Sequence, residues 1–185
     1  MLDVTAPDST RVSVRTAEPR DVAGLLDAYE WLFAAPGTRP DDWDVQAAGA
    51  RLLEVMTIEQ CTVLVVERGQ DLVGFCTAYL DIISVRFGRR CWLEDLAVHP
   101  AHRSTGIGAL LLGQAKVWAA RRRADHMELD SALARTDAHW FYDRHDPSWH
   151  SLCFGWRLSR ADTVGGAVQP AAARTAAPAG NGEQS

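Results

Sequence analysis

Between residues 11 and 15 apolar and polar side chains alternate, Arg-Val-Ser-Val-Arg, which is the period of a strand with one face turned inward. The period then lengthens. Asp21 is placed to cap a helix that runs to about residue 33, with Leu25, Leu26, Tyr29, Leu32 and Phe33 on one apolar stripe. Pro36-Gly-Thr-Arg-Pro40 breaks that helix, and a second is predicted over 42–56. Two apolar runs follow, Cys61-Thr-Val-Leu-Val-Val-Glu67 and residues 72–83. The turn Arg68-Gly-Gln-Asp71 joins them into a hairpin. Further on, the pattern predicts a strand over 91–98, a helix over 105–122, a strand over 127–132, a helix over 137–143 and a last strand over 153–160. Antiparallel hairpins leading into a β-α-β unit make a mixed α/β fold.

Composition sets the limits of that fold. A chain of 185 residues fits one domain with a real core. Residues 1–10 are largely polar and expected to be loose. From Thr163 onward the chain is mostly Ala, Gly, Pro and small polar residues, too poor in large apolar side chains to offset its ordering entropy. The expected domain therefore spans 11–160, with a flexible tail over 161–185.

Charge and cysteine usage exclude several functions. The net charge of −5 leaves no footprint for nucleic acid. Arg121-Arg122-Arg123 reads as a solvated helix end suited to the C-terminal dipole. Lys116 is the only lysine and sits mid-helix, which leaves Schiff-base chemistry without a credible nucleophile. Cys61, Cys76, Cys91 and Cys153 form no C-x-x-C, and His99 and His102 have no partners at ligand spacing, so no metal is expected. Neither a signal peptide nor a membrane-length apolar stretch is visible, and the expected setting is a cytoplasm with reduced thiols.

The most informative segment is Trp92-Leu-Glu-Asp-Leu-Ala-Val-His-Pro-Ala-His-Arg103-Ser-Thr-Gly106-Ile-Gly108-Ala-Leu-Leu-Leu112. An apolar strand runs into a short loop whose glycines open a helix. Amides at a helix N-terminus lack intrahelical partners and the helix dipole favours an anion there, the build of a pyrophosphate cradle. Gly106 and Gly108 would let the backbone come close to phosphate oxygens, and Arg103 adds a cation. Leu111 stands where a dinucleotide fingerprint needs its third glycine, and no Walker lysine is present. What remains is R-x-x-G-x-G; its bland alternative is a glycine-rich turn that merely caps a helix.

Together with Asp137-Ala-His-Trp-Phe-Tyr142 downstream, this segment resembles the GNAT superfamily of N-acetyltransferases. The closest pattern is the diamine and thialysine acetyltransferase branch. It is carried by Trp92-Leu93-Glu94-Asp95, the loop, Phe141-Tyr142 and Gly155-Trp156-Arg157-Leu158. The resemblance implies a mostly antiparallel twisted sheet flanked by helices, with a β-α-β cofactor unit, and acetyl-CoA as cosubstrate. Arg103 and the amides of Ser104, Thr105, Gly106, Ile107, Gly108 and Ala109 would hold the pyrophosphate. Main-chain groups of Leu96, Ala97 and Val98 would pair with the pantetheine arm, on a strand that commonly carries a bulge opening the acetyl slot. Arg135, Ala138 and Tyr142 fall on the cofactor side, with Tyr142 as the general acid that protonates the leaving thiolate.

The same resemblance gives Glu94 the task of contacting the amine and helping to remove its proton, with Glu128 and Asp130 as further holders of an ammonium group. Strand alternation groups Glu94 with Trp92 and Leu96, and Asp95 with Leu93 and Ala97. One acid then faces the slot; Glu94 is the expected one, although a bulge could switch the choice, and both acids could instead be satisfied by arginines. Arg135 replaces an asparagine of the branch and Phe154 replaces an acid, changes that remove features suited to a long polycation. The expected acceptor is thus a small-molecule amine of open identity (polyamine, aminoglycoside, amino acid) or a protein amino group. A homodimer is common in the branch, and the rival reading is a degenerate CoA-binding sensor or scaffold.

Overall fold

The computed structural model describes residues 12–156. The expectations for residues 1–11 and 157–185, including the loose N-terminus, the tail and the end of the last strand, lie outside them. Contacts divide the chain into two units, one ending at Trp149 and the other beginning at His150. The described part of the second unit, residues 150–156, carries no strand, so the strand predicted over 153–160 is corrected there.

The first unit is built on one sheet in the order β1 (Val12–Thr16), β2 (Cys61–Arg68), β3 (Asp71–Ser84), β4 (Gly88–Val98) and β5 (His126–Glu128). The first four strands pair antiparallel, and β5 runs parallel to β4. The helices are α1 (Val22–Phe33), α2 (Val45–Thr57), α3 (Ile107–Arg121) and α4 (Thr136–Asp143). The mixed α/β class is as expected. Helix α2 starts later than predicted because Asp44 is its cap: its Oδ1 accepts from Ala47 N at 2.6 Å.

The central strands are apolar on both faces because both faces are covered. Val63 and Val65 of β2 and Phe75 of β3 pack with Leu25, Ala28 and Leu52 on the side of α1 and α2. Their neighbours Leu64, Val66 and Cys76 pack with Ile107, Leu111 and Ala115 of α3. Helix α3 comes very close to the sheet at Gly74, where a Cβ would lie 2.9 Å from Ile107 Cγ2 and 3.2 Å from Ala97 O. Only glycine fits there.

Two irregularities of β4 position the candidate site. Thr77 pairs with Asp95 while Ala78 pairs with Leu93, so Glu94 has no partner on β3 and forms a bulge. Strand β5 pairs only with Arg90, Cys91 and Trp92, and leaves β4 just before the bulge. The strand predicted over 127–132 therefore shrinks to His126–Glu128. Beyond Trp92, β4 has no β5 neighbour among the described residues.

Candidate active site

The bulge changes which way the acids face. Cys91 and Leu93 belong to the core under α3, whereas Ala97, four residues beyond Leu93, belongs to the core under α1 and α2. Strict alternation would place Leu93 and Ala97 on the same face. One extra residue between them reverses the parity, so Glu94 and Asp95 both line one cavity between α2 and the sheet. The expectation that only one acid faces the slot is corrected: the bulge supplies both.

That cavity has a volume of about 210 Å³. Tyr29 of α1, Ala48, Arg51, Leu52 and Val55 of α2, and Thr77 and Tyr79 of β3 line it beside the acids. Asp95 Oδ2 accepts from Tyr29 Oη at 2.8 Å and from Thr77 Oγ1 at 2.9 Å. Burial holds the Asp95 carboxyl above the usual carboxylate range, and the charge of Glu94 adds to this. The two hydroxyl donors and the Arg135 guanidinium act in the opposite direction. Glu94 is exposed; its Oε2 accepts from Trp92 Nε1 at 2.7 Å and from Tyr79 Oη at 3.1 Å. Trp43, another lining residue, packs its ring 5.4 Å from that of Tyr29, and its indole N–H is buried without a partner.

On the other side of the sheet lies the loop from His99 to Gly106. Helix α3 starts at Ile107, two residues later than predicted, because Gly106 has φ +90° and ends the loop in the left-handed region. Thr105 Oγ1 donates to His102 O at 2.6 Å, and Arg103 Nε to Val98 O at 3.4 Å. Ser104 also has a positive φ, 61°. Ile107, Gly108 and Ala109 form the first turn, whose amides have no acceptor within the helix. The two glycines differ in purpose. Nothing lies within 4 Å of where a Cβ on Gly106 would be, which leaves its backbone open to a ligand. A Cβ on Gly108 would lie 3.2 Å from Phe141 Cε2, so that glycine makes room for an aromatic ring rather than for an anion.

Helix α4 carries Phe141 and Tyr142, both packed against the α3-side core, where Leu96 and Val98 also pack. Burial pushes the Tyr142 phenol up to about 12, with Cys76 and Asp130 adding to the rise and Arg135 opposing it. Arg135 precedes α4 and donates from Nη2 to Leu32 O at the end of α1, at 2.7 Å. Its charge acts on both Tyr142 and Asp95. Ala138 N donates to Arg135 O at 3.0 Å.

Glu128 is not brought to the cavity. Its Oε2 accepts from Arg90 Nη1 at 3.1 Å and its Oε1 lies 3.3 Å from His126 Nε2; Arg90 also holds Asp81. Glu128, expected to help hold an ammonium group, stands in an ion pair with Arg90 along the sheet edge. Asp130 is exposed and does not line the cavity. Tyr29, Thr77, Tyr79, Trp43 and Arg51 are the lining residues that sequence reasoning missed. Tyr29 was visible only as part of an apolar stripe, since a phenol pattern does not reveal where its hydroxyl ends. Among the described residues no cluster of three His, Cys, Asp or Glu could hold a metal, and no helix is long and apolar enough to cross a membrane.

A mixed sheet that parts at β4 beside a helix N-terminus defines the class, that of an acetyltransferase fold. Residues 24–146 match the model of the acetyltransferase (GNAT) family, and the chain belongs to that family. It is 30% identical over 120 residues to the uncharacterized N-acetyltransferase YhdJ of Bacillus subtilis (strain 168), covering 64% of this chain and 84% of that protein. It is 26% identical over 131 residues to YhfO of the same organism, likewise an uncharacterized N-acetyltransferase, covering 71% and 84%. Among solved structures, the aminoglycoside N-acetyltransferase AAC(6')-Iy in complex with CoA shares the fold with a TM-score of 0.70 at 14% identity. That match covers 80% of this chain and 95% of the other.

Proposed function

We propose that this chain transfers an acetyl group from acetyl-CoA to a primary amine by direct attack of the amine on the thioester. One observation carries the reading: the β4 bulge turns Glu94 and Asp95 into one cavity, and the Arg135 guanidinium just before α4 acts electrostatically on both Asp95 and Tyr142. The open face above Gly106 and the free amides of Ile107, Gly108 and Ala109 fit a pyrophosphate. The CoA-bound neighbour supports that choice of cosubstrate. Arg103 and Ser104 flank the same opening. When bound, acetyl-CoA supplies the activated acetyl carbon, and the remaining work falls to the protein.

The main chain of Leu96, Ala97 and Val98, on the edge that β5 vacates, offers strand-like partners to an extended arm. Glu94, open to solvent, takes the proton from the incoming ammonium through water, so that a neutral amine attacks. Asp95 adds a second negative charge beside it and is held by Tyr29 and Thr77. Tyr142 keeps its Oη proton throughout the neutral range, because burial has moved its pKa far upward, and can hand it to the departing sulfur. A covalent acyl group on Cys76 or Cys91 is disfavoured by the same physics. Cys76 and Cys91 are fully buried, and burial raises their thiols to about 12 and about 11.

The test is turnover followed by mass spectrometry of the acetylated product, for the wild type and Tyr142→Phe. Loss of the general acid is expected to lower kcat by about 10²-fold or more with little change in acetyl-CoA affinity. Unchanged turnover removes Tyr142 from this role. Tight acetyl-CoA binding without transfer to any amine would favour the sensor or scaffold reading instead.

A further inference from the structure

The walls of the cavity differ in charge, and the difference points to a substrate class. On the sheet wall stand Glu94 and Asp95. Every hydrogen bond they accept through side chains goes to Glu94 Oε2 or Asp95 Oδ2. Glu94 Oε1 and Asp95 Oδ1 thus have no protein donor among the described residues, and two carboxylate oxygens remain for an ammonium group. On the facing wall, Ala48, Arg51, Leu52 and Val55 recur at the i, i+3, i+4, i+7 spacing that puts them on one face of α2. Arg51 is exposed at that wall and has no carboxylate partner among the described residues. The arginines of this unit that do pair, such as Arg15, Arg39 and Arg90, sit in ion pairs elsewhere. Between the two walls the lining is apolar, and about 210 Å³ is below the range usual for drug-sized ligands.

We propose that the acceptor is a compact zwitterion of the α-amino-acid class, with its ammonium on Glu94 and Asp95, its carboxylate on Arg51 and its side chain against Leu52 and Val55. This rests on the acetyl-transfer reading and narrows its acceptor. A polyamine would bring a second cation toward the Arg51 guanidinium, and so would an aminoglycoside, which carries several amines. A zwitterion leaves neither end unpaired, and a guanidinium matches a carboxylate in planar, two-pronged geometry.

The experiment uses the full chain with acetyl-CoA and two matched trios: L-leucine, L-leucinamide and 3-methylbutylamine; L-phenylalanine, its amide and 2-phenylethylamine. Product is read by mass spectrometry, with rates compared per concentration of neutral amine. The expected result is a KM for the amino acid at least about tenfold below those of its amide and its decarboxylated amine, the scale of one charge-assisted contact. Arg51→Gln should collapse that ratio and Arg51→Lys should restore part of it; because Arg51 is exposed, circular dichroism is expected to show both variants folded. Equal KM values across a trio, or a ratio that survives Arg51→Gln, overturns the zwitterion proposal while leaving acetyl transfer intact. Turnover of other amines with none in either trio overturns it as well. Failure of the wild type to bind acetyl-CoA, measured by calorimetry, instead overturns the acetyl-transfer reading on which it rests.

Discussion

Replacing Asp95 separates the charge of this side chain from its hydrogen bonds. In Asp95→Ala, Tyr29 Oη and Thr77 Oγ1 lose the acceptor they share at 2.8 and 2.9 Å. Each hydroxyl donor left without an acceptor costs about 1–3 kcal/mol, giving a destabilisation of about 2–4 kcal/mol once cavity water partly solvates Tyr29. Thr77 Oγ1 keeps only the bond it accepts from the backbone N of residue 95, at 3.1 Å. Asp95→Asn keeps an oxygen at the same place and removes a charge that burial opposes, so at pH 8 it should lie within about 1 kcal/mol of the wild type. The sign of the pH dependence follows from the raised carboxyl. Between the unfolded and the folded pKa of Asp95, the native state binds more protons than the unfolded state, so wild-type stability falls as pH rises through that window. The stability of Asp95→Asn relative to wild type therefore increases from low pH and levels off above the folded pKa. Urea denaturation of the three proteins at several values between pH 4 and pH 8 measures this, and taking differences cancels the other carboxyls. Destabilisation of Asp95→Asn equal to that of Asp95→Ala at pH 8, or a difference that does not vary with pH, would refute the reasoning.

Gly74→Ala places a Cβ against Ile107, Leu111 and the Ala97 carbonyl, and should lower stability by about 1–3 kcal/mol in urea melts by forcing α3 off the sheet. Gly106→Ala meets no steric contact but must hold φ near +90°, so about 1–2 kcal/mol of strain is expected, with weaker acetyl-CoA binding by calorimetry. Asp21 receives Arg15 Nη1 and Nη2 at 2.6 and 2.8 Å, and this pairing holds its carboxyl below the usual range. Asp21→Asn should cost about 1–2 kcal/mol at neutral pH, and the gap to wild type should close as pH falls through the folded pKa.

Period and punctuation made most of the fold legible. The hairpin of β2 and β3 was readable from two apolar runs around a turn in which Gly69 adopts a positive φ. The start of β4 at Gly88-Arg-Arg was not, because polar side chains at a sheet margin leave no alternation to detect. Strand β5 was overextended because its apolar run continues after its partner strand bulges away. The loop and α4 placed Arg103 to Ala109 and Tyr142 on elements close to those expected. The pairing of Glu128 with Arg90 was not legible because the sequence does not reveal that the two lie across from each other, and the partners of Asp95 were hidden because they come from 66 and 18 residues away.

The bulge at Glu94 is the residue count that simple alternation misses, and it organises both halves of the proposed reaction. Without it, Leu93, Asp95 and Ala97 would share a face, and Asp95 would point into the apolar core beneath α3 beside Leu111. That position is not tenable for a carboxylate without a partner. With it, the acid turns toward Tyr29 and Thr77, while Leu96 and Val98 move onto the α3-side core. The same insertion falls two residues after the last β4 residue that pairs with β5, so the edge left open for an extended ligand begins next to where the acids turn to the opposite side. One additional residue thus separates the proposed acceptor cavity on the α1–α2 side from the proposed cofactor edge beside α3, and leaves only the thickness of the sheet between them.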